Sequence, residues 1–197
     1  LEVKKMAEMD PLTGLSNRYH FEEMLKVMIA NNKRDGSNVA LLALDLDNFK
    51  HVNDTMGHEA GDSVLKQSVK RIRSCLRNNE GFARLGGDEF IVLLRALAGD
   101  NDAKEVAENL LRVFRDPFLI DGKELILTLS IGIVTYPENG SSASDLLRHA
   151  DAAMYQSKLS GRNTYSFFTK EMNAIMLRRF EIEEQLNLAL QRNEFEV

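Results

Sequence analysis

A chain of 197 residues, 44% hydrophobic and 28% charged, is long enough to bury one core without staples and leaves room for a short appendage. Its single cysteine, Cys75, excludes an internal disulfide and suits a reducing compartment. A formal net charge of −5 argues against nonspecific duplex binding and nucleic acid as a partner, though an acidic chain can still hold phosphates through helix starts and a divalent metal.

No run approaches the ~20 apolar residues of a membrane span, and no signal-peptide pattern opens the sequence. The chain therefore reads as cytoplasmic, within a full protein that can still be membrane-attached. Residues 1–9 are charged and read as the end of a linker helix from an upstream segment. Asp10-Pro11-Leu12-Thr13-Gly14-Leu15-Ser16-Asn17-Arg18 is turn-rich. A helix is predicted over 19–31, where Phe21, Leu25, Met28 and Ile29 recur at helical spacing, followed by a polar loop over 32–38.

Residues 39–46 form an apolar run of strand length that ends among Asp45 and Asp47. A brief helix is predicted from about Asn48. Gly57 and Gly61 interrupt the path before a longer helix over about 62–77, apolar at Leu65, Val69, Ile72 and Leu76 and basic at Lys66, Lys70, Arg73 and Arg77. Two strands over 82–85 and 89–94 flank Gly86-Gly87, a hairpin signal. A helix over 102–115 precedes strands over 118–120 and 123–135 that turn at Asp121-Gly122. A helix over 144–160, capped by Ser144, leads to a last strand over 163–168. The order predicts an α+β fold, a central mostly antiparallel sheet flanked by helices. From Thr169 the chain reads as a separate helix over 171–192.

Two acidic groups stand out. Asp45 and Asp47 close a strand, and Asp88 and Glu89 sit beside the Gly-Gly hairpin. If those strands are neighbours, Asp45 and Asp88 converge on one hard cation, for which Mg²⁺ selects carboxylate oxygens. Taken alone, Gly-Gly-Asp-Glu is equally the composition of a solvated hairpin tip. His20, His51, His58 and His149 show no metal-ligand spacing with one another.

In company the motifs are specific. Gly86-Gly87-Asp88-Glu89-Phe90, preceded by Arg84-Leu85, spells the name of the GGDEF family of diguanylate cyclases. The turn at 10–18, the run Asp45-Leu46-Asp47-Asn48-Phe49-Lys50, then Asn53-Asp54, Gly57-His58 and Gly61-Asp62, resemble that family's motifs in order. So do Ala152-Ala153-Met154-Tyr155-Gln156-Ser157-Lys158 and Gly161-Arg162-Asn163. The resemblance spans about residues 8 to 168. It implies a nucleotidyl-cyclase or palm-like fold and condensation of two GTP molecules into cyclic di-GMP by a homodimer.

By the same resemblance, Asp45, Asp88 and the carbonyl of Leu46 bind Mg²⁺, with Mn²⁺ as an alternative ion. Glu89 lies near the ribose 3′-hydroxyl as general base or metal-side assistant, catalytic together with Asp88 and Asp45, and Asn53 and Asp62 read the guanine edge. The backbone N–H groups of Asn48, Phe49 and Lys50 hold the terminal phosphates, with Lys158 and Arg162 on their other side. The family's product-inhibition motif, Arg-x-x-Asp, is replaced by Arg77-Asn78-Asn79-Glu80, a possible degenerate inhibitory site in which Glu80 is longer by one methylene. Residues 180–195 resemble the first helix and strand entrance of an EAL phosphodiesterase domain. The division implied is 1–9 linker helix, 10–168 GGDEF domain, and 169–197 linker helix with the start of an EAL domain. A GTP-binding regulatory module controlling an attached EAL phosphodiesterase stays open beside the cyclase reading.

Overall fold

Strand β1 (Val39–Leu46) is buried at all eight positions. A strand that is apolar without alternation needs both faces covered, and the two helical layers of this protein do so. In the computed structural model, which describes residues 8–35, 38–95, 97 and 100–192, β1 is the central strand of a five-stranded sheet. Its partners are β3 (Glu89–Leu94), which forms a hairpin with the outer strand β2 (Gly81–Gly86), and β6 (Leu129–Tyr136). These pair antiparallel, while β7 (Thr164–Phe167) runs parallel to β6 at the edge. The sheet is thus mostly antiparallel and helix-flanked.

The alternation of side chains assigns the layers. Ala40, Leu42, Leu44 and Leu46 share one core with α2 (Phe49–Met56), α3 (His58–Ser74) and α4 (Asp100–Val113). Val39, Leu41 and Ala43 share the other with α1 (Arg18–Asp35) and α5 (Ala143–Leu159). Each fully buried leucine contributes about 1.5–3 kcal/mol of transfer free energy, so β1 anchors both layers. Helix α5 lies directly on β6: a Cβ placed on Gly132 would overlap the Ala150 carbonyl oxygen and the Met154 amide.

Several boundaries differ from the sequence expectation. Helix α1 continues to Asp35 through residues predicted as loop, because Asn31 to Asp35 contain no helix breaker and polarity alone does not stop a helix. Helix α3 begins at His58 instead of Asp62, since Gly57, at φ 85°, is the joint with α2 and Gly61 is helical. It ends at Ser74, short of Arg77. Helix α4 is displaced by two residues at each end from 102–115. The strand predicted over 123–135 is two: β5 (Lys123–Leu125) pairs with β4 (Phe118–Ile120) outside the main sheet, and β6 starts afresh at Leu129. The cap of α5 is Ser142 instead of Ser144, its Oγ accepting from the Asp145 N–H at 3.1 Å.

Helix α6 (Lys170–Gln191) follows β7 and leaves Ile175, Leu177, Ile182 and Leu186 exposed. Among the described residues, no helix is long and apolar enough to cross a membrane. Most of the predicted linker over 1–9 and the final residues 193–197 lie outside the described residues.

Candidate active site

The register of β1 against β3 sets Asp45 directly opposite Glu89. The end of β1 therefore meets the hairpin tip, and the Leu46 N–H donates to the Asp88 carbonyl at 3.4 Å. Gly86 and Gly87, at φ 146° and 52°, turn that tip in conformations L side chains rarely adopt. Arg84 holds it: Nε and Nη2 donate to the Gly87 carbonyl at 3.0 and 2.7 Å, and Nη1 donates to both Asp10 carboxylate oxygens at 3.0 and 3.1 Å. Burial alone would push the Asp10 carboxyl up. The Thr13 hydroxyl and amide and the Arg84 guanidinium outweigh it and hold that carboxyl below its ordinary value.

Asp45 is only 6% exposed and is contacted by Lys158 from the last turn of α5, Nζ to Oδ2 at 2.7 Å. Burial pushes the Asp45 carboxyl up to about 6 in spite of Lys158, with Asp88 and Glu89 adding repulsion. The Ser157 hydroxyl donates to the Ile131 carbonyl at 2.7 Å, which seats the turn carrying Lys158 on β6. Two further charged groups join from the helices. Arg18 Nη2 approaches Glu89 Oε2 at 3.7 Å. Asp151, two helical turns before Lys158, is pushed up to about 6 by burial and by Glu89, against Arg18 and Lys158. Arg18 and Asp151 also line a cavity of about 420 Å³ with Glu22, Lys26 and Arg148.

Asp47 faces into the structure instead. It is 3% exposed and accepts from the Thr128 and Ser130 hydroxyls, both at 2.6 Å, and from the Asn163 N–H at 3.1 Å. That carboxylate ties the end of β1 to β6 and to the loop after α5. The loop carries Arg162 between Gly161 and Asn163, all three at positive φ. Asn48, at φ 60°, turns the chain into α2, and the first helical bond runs from the His51 N–H to the Asn48 carbonyl. The N–H groups of Asn48, Phe49 and Lys50 precede that bond, where a helix start offers free donors. Asn53 lies on α2 with its carboxamide against Gly61, one residue before Asp62 on α3.

Asp45, Leu46, Asp88, Glu89 and Lys158 are thus brought together at the end of the sheet. Asn48, Phe49, Lys50 and Arg162 are tied to the same corner through Asp47, and at the α2–α3 joint Asn53 lies against Gly61, the residue before Asp62. Arg77 and Glu80 lie elsewhere, in the turn before β2, at the far end of a strand roughly 17–20 Å long. There the Arg77 N–H donates to Glu80 Oε2 at 2.7 Å. Both residues line a cavity of about 200 Å³ with Cys75, Asp102 and Glu105.

Among the described residues, no three His, Cys, Asp or Glu side chains are grouped so as to hold a metal ion. Two carboxylates and a carbonyl nonetheless suit Mg²⁺, which keeps waters and substrate phosphates as ligands and seldom uses an all-protein cage. The buried Asp45 carboxylate, repelled by the partly exposed Asp88 and Glu89, is the charge such a cation would neutralise. Sequence reasoning gave Asp10, Arg18 and Arg84 no role beyond their place within motifs, and it passed over Asp151, one charge on the helix predicted over 144–160.

The family model for the diguanylate cyclase, GGDEF domain, matches residues 7–164. The chain is 38% identical over 195 residues to the cyclic di-GMP phosphodiesterase NbdA of Pseudomonas aeruginosa, covering 99% of this chain and 25% of that protein. It is 40% identical over 193 residues to the bifunctional diguanylate cyclase/cyclic di-GMP phosphodiesterase MucR of the same organism, covering 98% of this chain and 28% of MucR. The solved structure of an N-terminally shortened TpbB from Pseudomonas aeruginosa, comprising only its GGDEF domain, superposes with a TM-score of 0.83 at 39% identity, covering 86% of this chain and 99% of that one. The chain spans about a quarter of the length of NbdA and MucR.

Proposed function

The chain belongs to the GGDEF, diguanylate cyclase, domain family, and on that premise we propose that it condenses two GTP molecules into cyclic di-GMP and pyrophosphate. The observation that carries this reading is the convergence of Asp45, Asp88 and Glu89 with Lys158 at the end of β1. Residues 10–168 form the catalytic domain in this reading, and α6 is a linker toward an EAL domain.

Each of two domains holds one GTP. Asn53 and Asp62 bind the guanine edge, where a carboxylate accepts from ring and exocyclic N–H groups that adenine lacks. The N–H groups of Asn48, Phe49 and Lys50 receive the terminal phosphates, with Lys158 and Arg162 supplying positive charge. Asp45, Asp88 and the Leu46 carbonyl would hold Mg²⁺, which when bound supplies charge neutralisation at the transferring phosphoryl group. Glu89 takes the proton of the 3′-hydroxyl as its oxygen bonds the α-phosphorus of the partner's GTP, and the bond to the departing pyrophosphate breaks in line. Positioning and charge stabilisation account for most of the rate.

A second reading has its own support. NbdA, similar to this chain over nearly its full length, is a cyclic di-GMP phosphodiesterase by name. On that reading the domain binds GTP and regulates an attached EAL phosphodiesterase. Incubation with GTP and Mg²⁺, with nucleotides resolved by chromatography, separates the two. The cyclase reading expects cyclic di-GMP from the wild type and none from Glu89→Ala. GTP binding without product at high protein concentration selects the regulatory module.

A further inference from the structure

Among the described glycines, Gly61 is the one whose missing side chain would meet a polar side-chain atom. A Cβ placed there would overlap Asn53 Oδ1, and it would come within 3.2 Å of Phe49 Cζ. Gly61 is buried in the first turn of α3 and lies outside the positive-φ set. The backbone at this position therefore does not require glycine, and alanine is the better helix former. What glycine supplies is space, and the Asn53 carboxamide occupies it.

We infer that Gly61 is a specificity-determining residue for the nucleotide base, acting as a positioning residue through Asn53. Helix α2 ends and α3 begins at Gly57, so Asn53 and Asp62 sit on two helices that meet at one residue. With no Cβ at 61, the Asn53 carboxamide oxygen sits against the first turn of α3, at the residue that precedes Asp62. An amide and a carboxylate then present mixed donors and acceptors to one ligand edge. Guanine carries the complement, an acceptor oxygen beside two donor nitrogens, and adenine does not. A methyl at 61 pushes the amide out of this place. The obstructing atom is the tip of a flexible side chain, so the displacement leaves the fold intact. This inference rests on the reading that Asn53 and Asp62 bind the base.

The test is a binding cycle with 3′-deoxy-GTP and Mg²⁺, in which the absent hydroxyl prevents condensation, and with 3′-deoxy-ATP as the second probe. Wild type, Gly61→Ala, Asn53→Ala and the double variant are compared by calorimetry, with thermal melts establishing that each is folded. Gly61→Ala is expected to weaken 3′-deoxy-GTP roughly tenfold, the size of one lost hydrogen bond to a polar group. Its affinity for 3′-deoxy-ATP stays unchanged, and in the Asn53→Ala background it adds no further loss. Equal loss of both nucleotides, or a Gly61 effect that persists without Asn53, overturns the inference while leaving the base assignment standing. Wild-type affinity in Asn53→Ala removes the base assignment itself, and this inference with it.

Discussion

The candidate active site gathers negative charge that its helices only partly offset. Asp151 is raised to about 6, by burial first and by Glu89 second. A folded-state value above the unfolded one means that the carboxyl favours folding when protonated and opposes it when ionised. The full contribution is present below about 3.8 and is lost as the pH rises through about 6. In melts without nucleotide or divalent cation, Asp151→Asn is therefore expected to gain stability over the wild type between those values. The gain stays level above them, and a pH-independent difference would contradict the assignment. At Glu80 the carboxylate is already engaged by the Arg77 amide, in a cavity shared with Asp102 and Glu105. Two further carboxylates repel a phosphate ligand. Product inhibition through this turn is accordingly predicted to be weak; a tight cyclic di-GMP isotherm that collapses in Arg77→Ala would refute it.

Helix α5 carries both Asp151 and Lys158, so its seating on the sheet decides where these charges stand. Gly132 makes that seating close, because any side chain there would meet the backbone of Ala150 and Met154. Backbone cannot step aside as a side-chain tip can. Gly132→Ala should destabilise by about 1–3 kcal/mol, the usual size of overpacking, and shift the Asp45–Lys158 pair. Urea unfolding measures the first effect, and loss of GTP turnover beyond the unfolded fraction measures the second. On the opposite layer, Arg71 donates to the Val113, Asp116 and Pro117 carbonyls and lies 3.7 Å over the Phe118 ring. Helix α3 uses this basic residue as a clamp on the α4–β4 turn. It lies outside the stripe of Lys66, Lys70, Arg73 and Arg77 singled out in the sequence, because the carbonyls and ring within its reach, and not charge periodicity, select the clamp.

At the scale of the molecule, the proposed reaction assigns one set of metal- and phosphate-binding groups to one sheet end. Joining two nucleotides head to tail then requires two copies of the domain. Cyclic di-GMP formed per subunit is expected to fall on dilution below the dimerisation constant and to recover on concentration. A rate per subunit that is constant over that range would exclude the two-domain scheme.

Much of this was legible in the residue string. The apolar runs of β1 and β6, the helical spacing of Phe21, Leu25 and Met28, and the glycines of the hairpin report on conformation through immediate neighbours, which a sequence displays. The ordered motifs from Asp10 to Asn163 identify the family for the same reason. What only the tertiary structure decided is which charges meet. Lys158 reaches Asp45, Arg18 reaches Glu89, Asp47 turns to Thr128 and Ser130, and Asn53 settles into the space left by Gly61. Charged residues on a helix look solvated in any one-dimensional pattern. Strand register and helix packing set their partners across separations that no local periodicity encodes.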